Sequence, residues 1–329
     1  MSARGRVAVL DVMPEASREV ISSIFGADFD LAFAEGDSPE AKAETARGAV
    51  GLLTMWGAVT AESMAASAEC RVVQKLGIGT DKIDTKAAQD RGIAVLKAAG
   101  INAEAVAELA VLLALSVGRN LPRAIEAARA GEAVKEELRA VSLGLLGRTV
   151  GLVGFGHIGR ATAARFRAFG AEIVYYDVYR PSAEVEAELG ARYLDLPELL
   201  ALADVVSLHV PAADRPVLDK EAFAAMKPGA IVVNTARGSL IDEEALAEAI
   251  RGGTVFGAGL DVTAVEPLPA DSPLLGLDRV VLTPHVGGAV ANNFPRVIER
   301  AYRNVCAVLD GTEVSPGDVV VAPPAGGGL

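Results

Sequence analysis

Residues 149–159 read TVGLVGFGHIG, and this stretch restricts the fold more than any other in the chain. An apolar run at 150–153 predicts a short buried strand. Gly154, Gly156 and Gly159 follow at G-x-G-x-x-G spacing, and an alanine-rich helical pattern continues to residue 169. Strand, glycine turn and helix in that order are the context in which this spacing points to a bound dinucleotide. Gly154 permits a tight turn, Gly156 lets the backbone approach a pyrophosphate, and Gly159 lets the helix lie close to the strand. The helix N-terminus, which includes His157 and Ile158, turns N–H groups and a positive dipole toward the phosphates. An ordinary strand-to-helix turn can carry the same glycines, so the next strand matters.

That strand, 172–177, is apolar until it ends at Asp177, 18 residues past Gly159. An acid at this distance accepts hydrogen bonds from the adenosine ribose and repels a 2′-phosphate, which favours NAD over NADP. Arg180 stands close by and is able to hold such a phosphate, so NADP is the second choice.

The glycine motif belongs to a longer rhythm. Apolar runs at 7–12, 28–34, 49–55, 71–76 and 93–98 alternate with helical patterns at 15–25, 40–47, 61–67 and 85–91. Alternation of this kind implies an open parallel sheet covered on both faces. Thr60 and Asp84 stand where helix N-caps belong. Two alanine-rich helices at 103–117 and 121–130 break the rhythm, and 131–148 shows no strand. This stretch reads as a linking helix and an arm that packs on a partner subunit or runs over the surface. From 148 the alternation resumes, with strands at 149–154, 172–177, 205–210, 230–235, 256–261 and 280–283. Helices are predicted at 158–169, 197–203, 220–226, 242–251 and 292–309. Six strands with helical crossovers suit a complete doubly wound α/β fold. The tail at 323–329, PPAGGGL, is expected to be disordered.

Composition narrows the partners. A formal charge of −12 argues against a nucleic-acid or anionic-membrane surface. The first apolar run stops at Asp11, too early for a signal peptide, and no apolar span reaches 18 residues. The expected location is therefore the cytoplasm. Cys70 and Cys306 lack metal-like spacing and read as core thiols.

In open α/β sheets ligands bind at the carboxyl ends of the strands. Two loops in the first hundred residues stand there, Met55-Trp56-Gly57 and Leu76-Gly77-Ile78-Gly79-Thr80. Gly77 and Gly79 leave backbone N–H groups able to hold a small anion, although both loops are also compatible with plain turns. Trp56 is either a ligand contact or a core or subunit-contact aromatic.

Hydride exchange with a carbonyl needs a cation to hold the substrate and a general acid to protonate its oxygen. Arg237 follows the strand IVVNT and precedes Gly238, where a guanidinium can grip a carboxylate with two parallel bonds. His285, one of only three histidines, follows VVLTP at the last strand end. Glu266 lies in VEP after the strand ending at Asp261. A carboxylate bonded to an imidazole fixes its tautomer and favours the imidazolium. His209 ends the strand VVSL and lines the cofactor crevice without titrating in the reaction. Asp261 either accepts from a nicotinamide carboxamide or caps the following turn.

The segments GFGHIG at 154–159, MKPGAIVVNTARGSLIDEEAL at 226–246, GLDVTAVEPLP at 259–269 and LTPHVGG at 282–288, with Asp177, resemble the D-isomer-specific 2-hydroxyacid dehydrogenases. The resemblance covers nearly the whole chain. It implies a Rossmann cofactor domain, 99–291, inserted in a flavodoxin-like substrate domain built from 1–98 and 292–329. It implies Arg237 as substrate binder, His285 as acid/base and Glu266 as its partner. Cofactor contacts are implied at Gly154, Gly156, His157, Ile158, Gly159, Asp177, His209, Pro211, Thr235, Ala236, Asp261 and Gly287. Substrate contacts are implied at Trp56, Leu76, Gly77, Ile78, Gly79 and Arg237. The expected reaction interconverts a small 2-oxo acid and its 2-hydroxy acid with NAD, in a homodimer joined through the cofactor domains.

Departures from the family pattern carry information. Lys82 stands where Asn is frequent, and the 211–216 segment is short and lacks the customary Thr. The loop 54–58, TMWGA, supplies no cation for a substrate phosphate, so a small or partly apolar 2-oxo acid is expected. No regulatory domain is expected after residue 329, unlike in the longer phosphoglycerate enzymes. The alternatives are an NAD(H)-sensing corepressor-like binding protein and a phosphite-type dehydrogenase, the latter disfavoured by Ile78 where Lys is expected.

Overall fold

The computed structural model describes residues 4–323, which divide into two compact units, 4–102 with 291–323, and 103–290. Residues 324–329 of the tail expected to be disordered lie outside the described residues.

The first unit opens with β1 (Arg6–Val9), α1 (Glu15–Phe25), β2 (Asp30–Phe33), α2 (Pro39–Ala46), β3 (Ala49–Thr54), α3 (Ala61–Ala65), β4 (Val72–Lys75), α4 (Thr85–Asp90) and β5 (Ala94–Leu96). Thr60 and Asp84 cap α3 and α4, accepting from the N–H groups of Ser63 and Ala87. The chain then leaves for the second unit.

That unit contains α5 (Ala103–Gly118), α6 (Leu121–Ala130), α7 (Lys135–Val141), β6 (Thr149–Val153), α8 (His157–Ala168), β7 (Glu172–Tyr176), α9 (Ala183–Leu189), β8 (Ala191–Tyr193), α10 (Leu196–Leu202), β9 (Val205–Leu208), α11 (Lys220–Ala225), β10 (Ala230–Asn234), α12 (Glu243–Arg251), β11 (Val255–Leu260) and β12 (Val280–Leu282). On its return the chain completes the first unit with α13 (Phe294–Asp310) and β13 (Val319–Val321).

The first sheet runs β13-β5-β4-β3-β1-β2 and the second β12-β11-β10-β9-β6-β7-β8. All pairings are parallel except β13 with β5. Both faces of each sheet are covered, which is why the strands read as continuous apolar runs. In the first unit Val7, Val9, Leu53 and Val72 pack with α1 and α13, while Ala8, Leu10, Leu52 and Val73 pack with Met64 on the other face. In the second, Val150, Leu152, Ile173 and Tyr175 face α5 and α8, and Val153, Val174, Val206 and Val232 face the opposite layer.

The second sheet has seven strands where six were expected. The additional strand, β8, is only three residues long, and α9 before it buries no residue. Neither leaves a periodic apolar signal. The antiparallel β13 also departs from the all-parallel expectation, and the stretch read as an arm contains α7. Among the described residues no single helix is long and apolar enough to cross a membrane.

Candidate functional site

The second sheet reverses its direction of growth at β6. The chain moves outward through β7 and β8, then returns to place β9 on the other side of β6. A crevice opens where strand order reverses in such sheets, and it is the usual place for a dinucleotide. Here the glycine turn after β6 and His209 after β9 form its floor. Gly154 has φ +100°, and a Cβ on it would stand 2.6 Å from the His209 carbonyl oxygen. A Cβ on Gly159 would be driven into the Gly154 carbonyl, whereas one on Gly156 would meet no protein atom within 4 Å. The three glycines thus do three different things, and the open side of the turn is at Gly156, at the N-terminus of α8.

Asp177, just past β7, turns its carboxylate back on this turn. Its oxygens accept from the N–H of Phe155 at 2.6 Å and of Tyr179 at 2.9 Å. Each oxygen keeps a second lone pair for a ribose hydroxyl. Four enclosed side-chain polar atoms among the described residues have no hydrogen-bond partner, and two of them, Nδ1 of His209 and Oγ1 of Thr235, stand at these strand ends. Orphaned groups at the ends of β9 and β10, with an uncovered glycine turn between β6 and α8, fit a polar ligand that spans the strand ends. The His209 ring is fixed by Ser207, whose Oγ lies 2.9 Å from Nε2. Burial pushes its pKa down to about 3, so this imidazole is neutral at physiological pH and does not act as an imidazolium acid.

The chemical groups lie farther along the same strand ends. Arg237 follows β10 in extended conformation, and its carbonyl accepts from Asn234 Nδ2 at 2.8 Å. Gly238 after it presses on the Thr263 backbone, where a Cβ would collide. That contact sets the β10 loop against the β11 loop carrying Glu266. His285 Nδ1 lies 2.9 Å from Glu266 Oε2. An ionised carboxylate only accepts, so Nδ1 carries the hydrogen and Nε2 is the nitrogen left for a substrate. Both side chains are partly open, His285 53% and Glu266 41% exposed.

Asp261 holds the histidine loop from beneath. Its carboxylate, 2% exposed as a residue, accepts from Thr283 Oγ1 at 2.6 Å and from the N–H groups of Val286 and Gly287, both at 2.8 Å. His285 itself sits at φ +53°, a left-handed conformation uncommon for a residue with a side chain. The Asp261 carbonyl accepts its N–H at 2.8 Å. Of the two roles open to Asp261 from the sequence, loop organisation is the one its hydrogen bonds occupy.

A family model for the D-isomer-specific 2-hydroxyacid dehydrogenase NAD-binding domain matches residues 111–287, the span that builds this crevice. The chain belongs to that family.

Similar proteins extend the match beyond the NAD-binding domain. A hydroxypyruvate reductase of Thermotoga maritima is 42% identical over 256 residues, 75% of this chain and 81% of that one. A D-3-phosphoglycerate dehydrogenase of Mycobacterium tuberculosis is 44% identical over 235 residues, 71% of this chain but 44% of its own length. The crystal structure of a Thermus thermophilus protein superimposes with a TM-score of 0.84 at 38% identity, covering 96% of this chain and all of that one. This dehydrogenase is therefore an NAD(H)-binding oxidoreductase that interconverts 2-hydroxy and 2-oxo acids.

The first unit of the dehydrogenase holds the two loops singled out from the sequence. Leu76 N–H donates to the Thr54 carbonyl at 2.8 Å, which ties the loop after β4 to the end of β3. Asp11, fully buried, accepts from the N–H of Met55 and Gly57 at 2.5 Å and of Trp56 at 3.3 Å. Lys75 Nζ donates to the Met55 carbonyl. The 54–58 loop thus has no cation of its own but has Lys75 from the neighbouring strand and Lys42 of α2 beside Gly57, where a Cβ would stand 2.7 Å from Nζ. Trp56 is 45% exposed, so it is not a core aromatic. Asp11 and Lys75 escaped the sequence reading, although Asp11 bears the same signal as Asp177, an acid at the end of an apolar strand.

Proposed function

We propose that His285 is the acid/base of this dehydrogenase, Glu266 its charged partner and Arg237 the grip on the substrate carboxylate. In the reductive direction a nicotinamide held in the crevice would supply the hydride for C2 of the 2-oxo acid. His285 Nε2 gives its proton to the carbonyl oxygen, and Glu266 stabilises the imidazolium that precedes the transfer. Asp261 keeps the histidine loop in place. The observation that carries this assignment is the 2.9 Å contact between His285 Nδ1 and Glu266 on a loop pinned by Asp261. Residues 154–159 with Asp177 hold the pyrophosphate and ribose, and His209, Pro211, Thr235, Ala236 and Gly287 line the remainder of the cofactor's path. Asp177 favours NAD over NADP.

The substrate is a small 2-oxo acid, with hydroxypyruvate first among those to try, given the Thermotoga relative. Trp56 and the Leu76–Gly79 backbone are assigned to it in a substrate domain formed by 1–98 and 292–329. The enzyme acts in the cytoplasm as a homodimer. The partner covers the face of α5 and α6, where Leu112, Leu121 and Ile125 are 54%, 40% and 41% exposed.

The test is NADH consumption over a panel of 2-oxo acids, hydroxypyruvate and glyoxylate included, with wild type and His285→Ala. Wild type turns over at least one of them. His285→Ala binds NADH and is inactive. Near-normal turnover by that variant would sink the acid assignment.

A further inference from the structure

Arg180 is the one basic residue in the segment after Asp177, and in NADP-binding folds an arginine in this segment receives the 2′-phosphate. Here the guanidinium already has an anion. Its Nε lies 2.8 Å from Glu186 Oε1 and its second nitrogen 3.1 Å from Oε2, the two-pronged geometry that carboxylates share with phosphates. The carboxylate is itself held in place, because Tyr175 Oη donates to Glu186 Oε1. The guanidinium also lies over the Tyr193 ring, 5.2 Å from its centroid. Three successive elements therefore hold Arg180: Tyr175 from β7, Glu186 from α9 and Tyr193 from β8.

We propose that Glu186 is a cofactor-specificity residue that occupies Arg180 in place of a 2′-phosphate. The inference rests on the reading of the Asp177 end of the crevice as the adenosine-ribose site. It adds a second element to the discrimination. Asp177 repels the extra phosphate, and Glu186 removes the cation that would attract it. Glu186 keeps only 16% of its side-chain surface exposed, against 60% for Arg180. The carboxylate is the seated partner and the guanidinium the one able to swing. The same pairing holds the Glu186 carboxyl below the ordinary carboxylate range, chiefly through Arg180 and then through Tyr175. Glu186 thus stays ionised at physiological pH. The Arg180 side of the pair is open to solvent, whereas loss of Glu186 also takes the partner of the Tyr175 hydroxyl, so the melting temperature of each variant is measured with its affinities.

The experiment measures Kd for NADH and NADPH by nicotinamide fluorescence titration. The proteins are wild type, Glu186→Ala, Glu186→Gln and Glu186→Ala with Arg180→Ala. Glu186→Ala is expected to tighten NADPH about tenfold, the effect of one added charge-assisted hydrogen bond, and to change NADH less than about twofold. Glu186→Gln gives a smaller gain of the same sign, and it decides the matter where the alanine variant does not fold. The added Arg180→Ala returns NADPH to its wild-type value. An unchanged NADPH-to-NADH ratio in folded Glu186 variants overturns the proposal, as does a gain that survives loss of Arg180. Wild type that binds NADPH as tightly as NADH contradicts the underlying NAD preference instead, and that result is read before any substitution.

Discussion

Replacing Glu266 by Gln separates catalysis from stability. The substitution keeps the shape and an oxygen that can accept from His285 Nδ1, and it removes the negative charge. The folded protein loses little. The two side chains are 53% and 41% exposed, and ion pairs so open contribute at most about 1 kcal/mol. The melting temperature therefore moves by no more than about 3 °C. The effect on rate is larger, because the imidazolium must form before it can give its proton. General acids contribute about 10²–10⁴-fold, and loss of the partner that charges and orients this one removes roughly 10- to 100-fold of that. This corresponds to about 1.4–2.7 kcal/mol in the barrier. The assay is kcat/KM for reduction of the preferred 2-oxo acid at neutral pH, with NADH Kd and melting temperature measured on the same samples. Kd and melting temperature should match wild type while kcat/KM falls. A kcat/KM within threefold of wild type, or a fall matched by a large drop in melting temperature, would refute the assignment of Glu266 as a charge partner.

Other substitutions probe the crevice and its neighbours. Gly156→Ala should fold normally, because its Cβ meets no protein atom within 4 Å, yet weaken NADH binding by filling the pyrophosphate approach. Gly159→Ala should instead lower stability by about 1–3 kcal/mol in chemical denaturation, since its Cβ collides with the Gly154 carbonyl. His209 is held neutral in the folded protein, with its pKa pushed down to about 3, so the unfolded chain takes up its proton first on acidification. That contribution to stability is present above about pH 6.5 and is lost as pH falls toward 3, by about 2 kcal/mol between pH 7 and 5. His209→Asn should flatten the wild-type slope in that window, and equal slopes in both proteins would contradict the burial argument. Trp56→Ala should change the ranking of 2-oxo acids by kcat/KM and leave NADH affinity alone; an unchanged ranking removes Trp56 from substrate selection.

The glycine turn and Asp177 were legible because backbone sterics and a phosphate-bearing ligand tolerate few residue types at those points. Arg237, Glu266 and His285 are proposed from their place in the chain, each within a few residues of the end of an apolar strand. Asp11 and Lys75 were not, because their role depends on a loop 44 and 20 residues away in sequence. The α9–β8 excursion was silent for a different reason. A helix with no buried residue and a three-residue edge strand have no apolar period to read. Glu186 belongs to that excursion, so its hold on Arg180 was hidden with it.

The return of the chain to complete the first unit has a consequence for biosynthesis. Residues 103–290 are contiguous and have all their strands once made. The first unit does not. Its core needs Val297, Ile298, Ala301 and Val305 from α13, and its sheet edge needs β13. At roughly 5–20 residues per second, about 10–40 s separate synthesis of β5 from synthesis of α13. During that interval one face of the nascent sheet, with Val7, Val9, Leu53 and Val72, has no helix α13 to cover it. The second unit can mature on the ribosome while the first waits, so the amino-terminal hundred residues are the stretch for which a chaperone has most work to do.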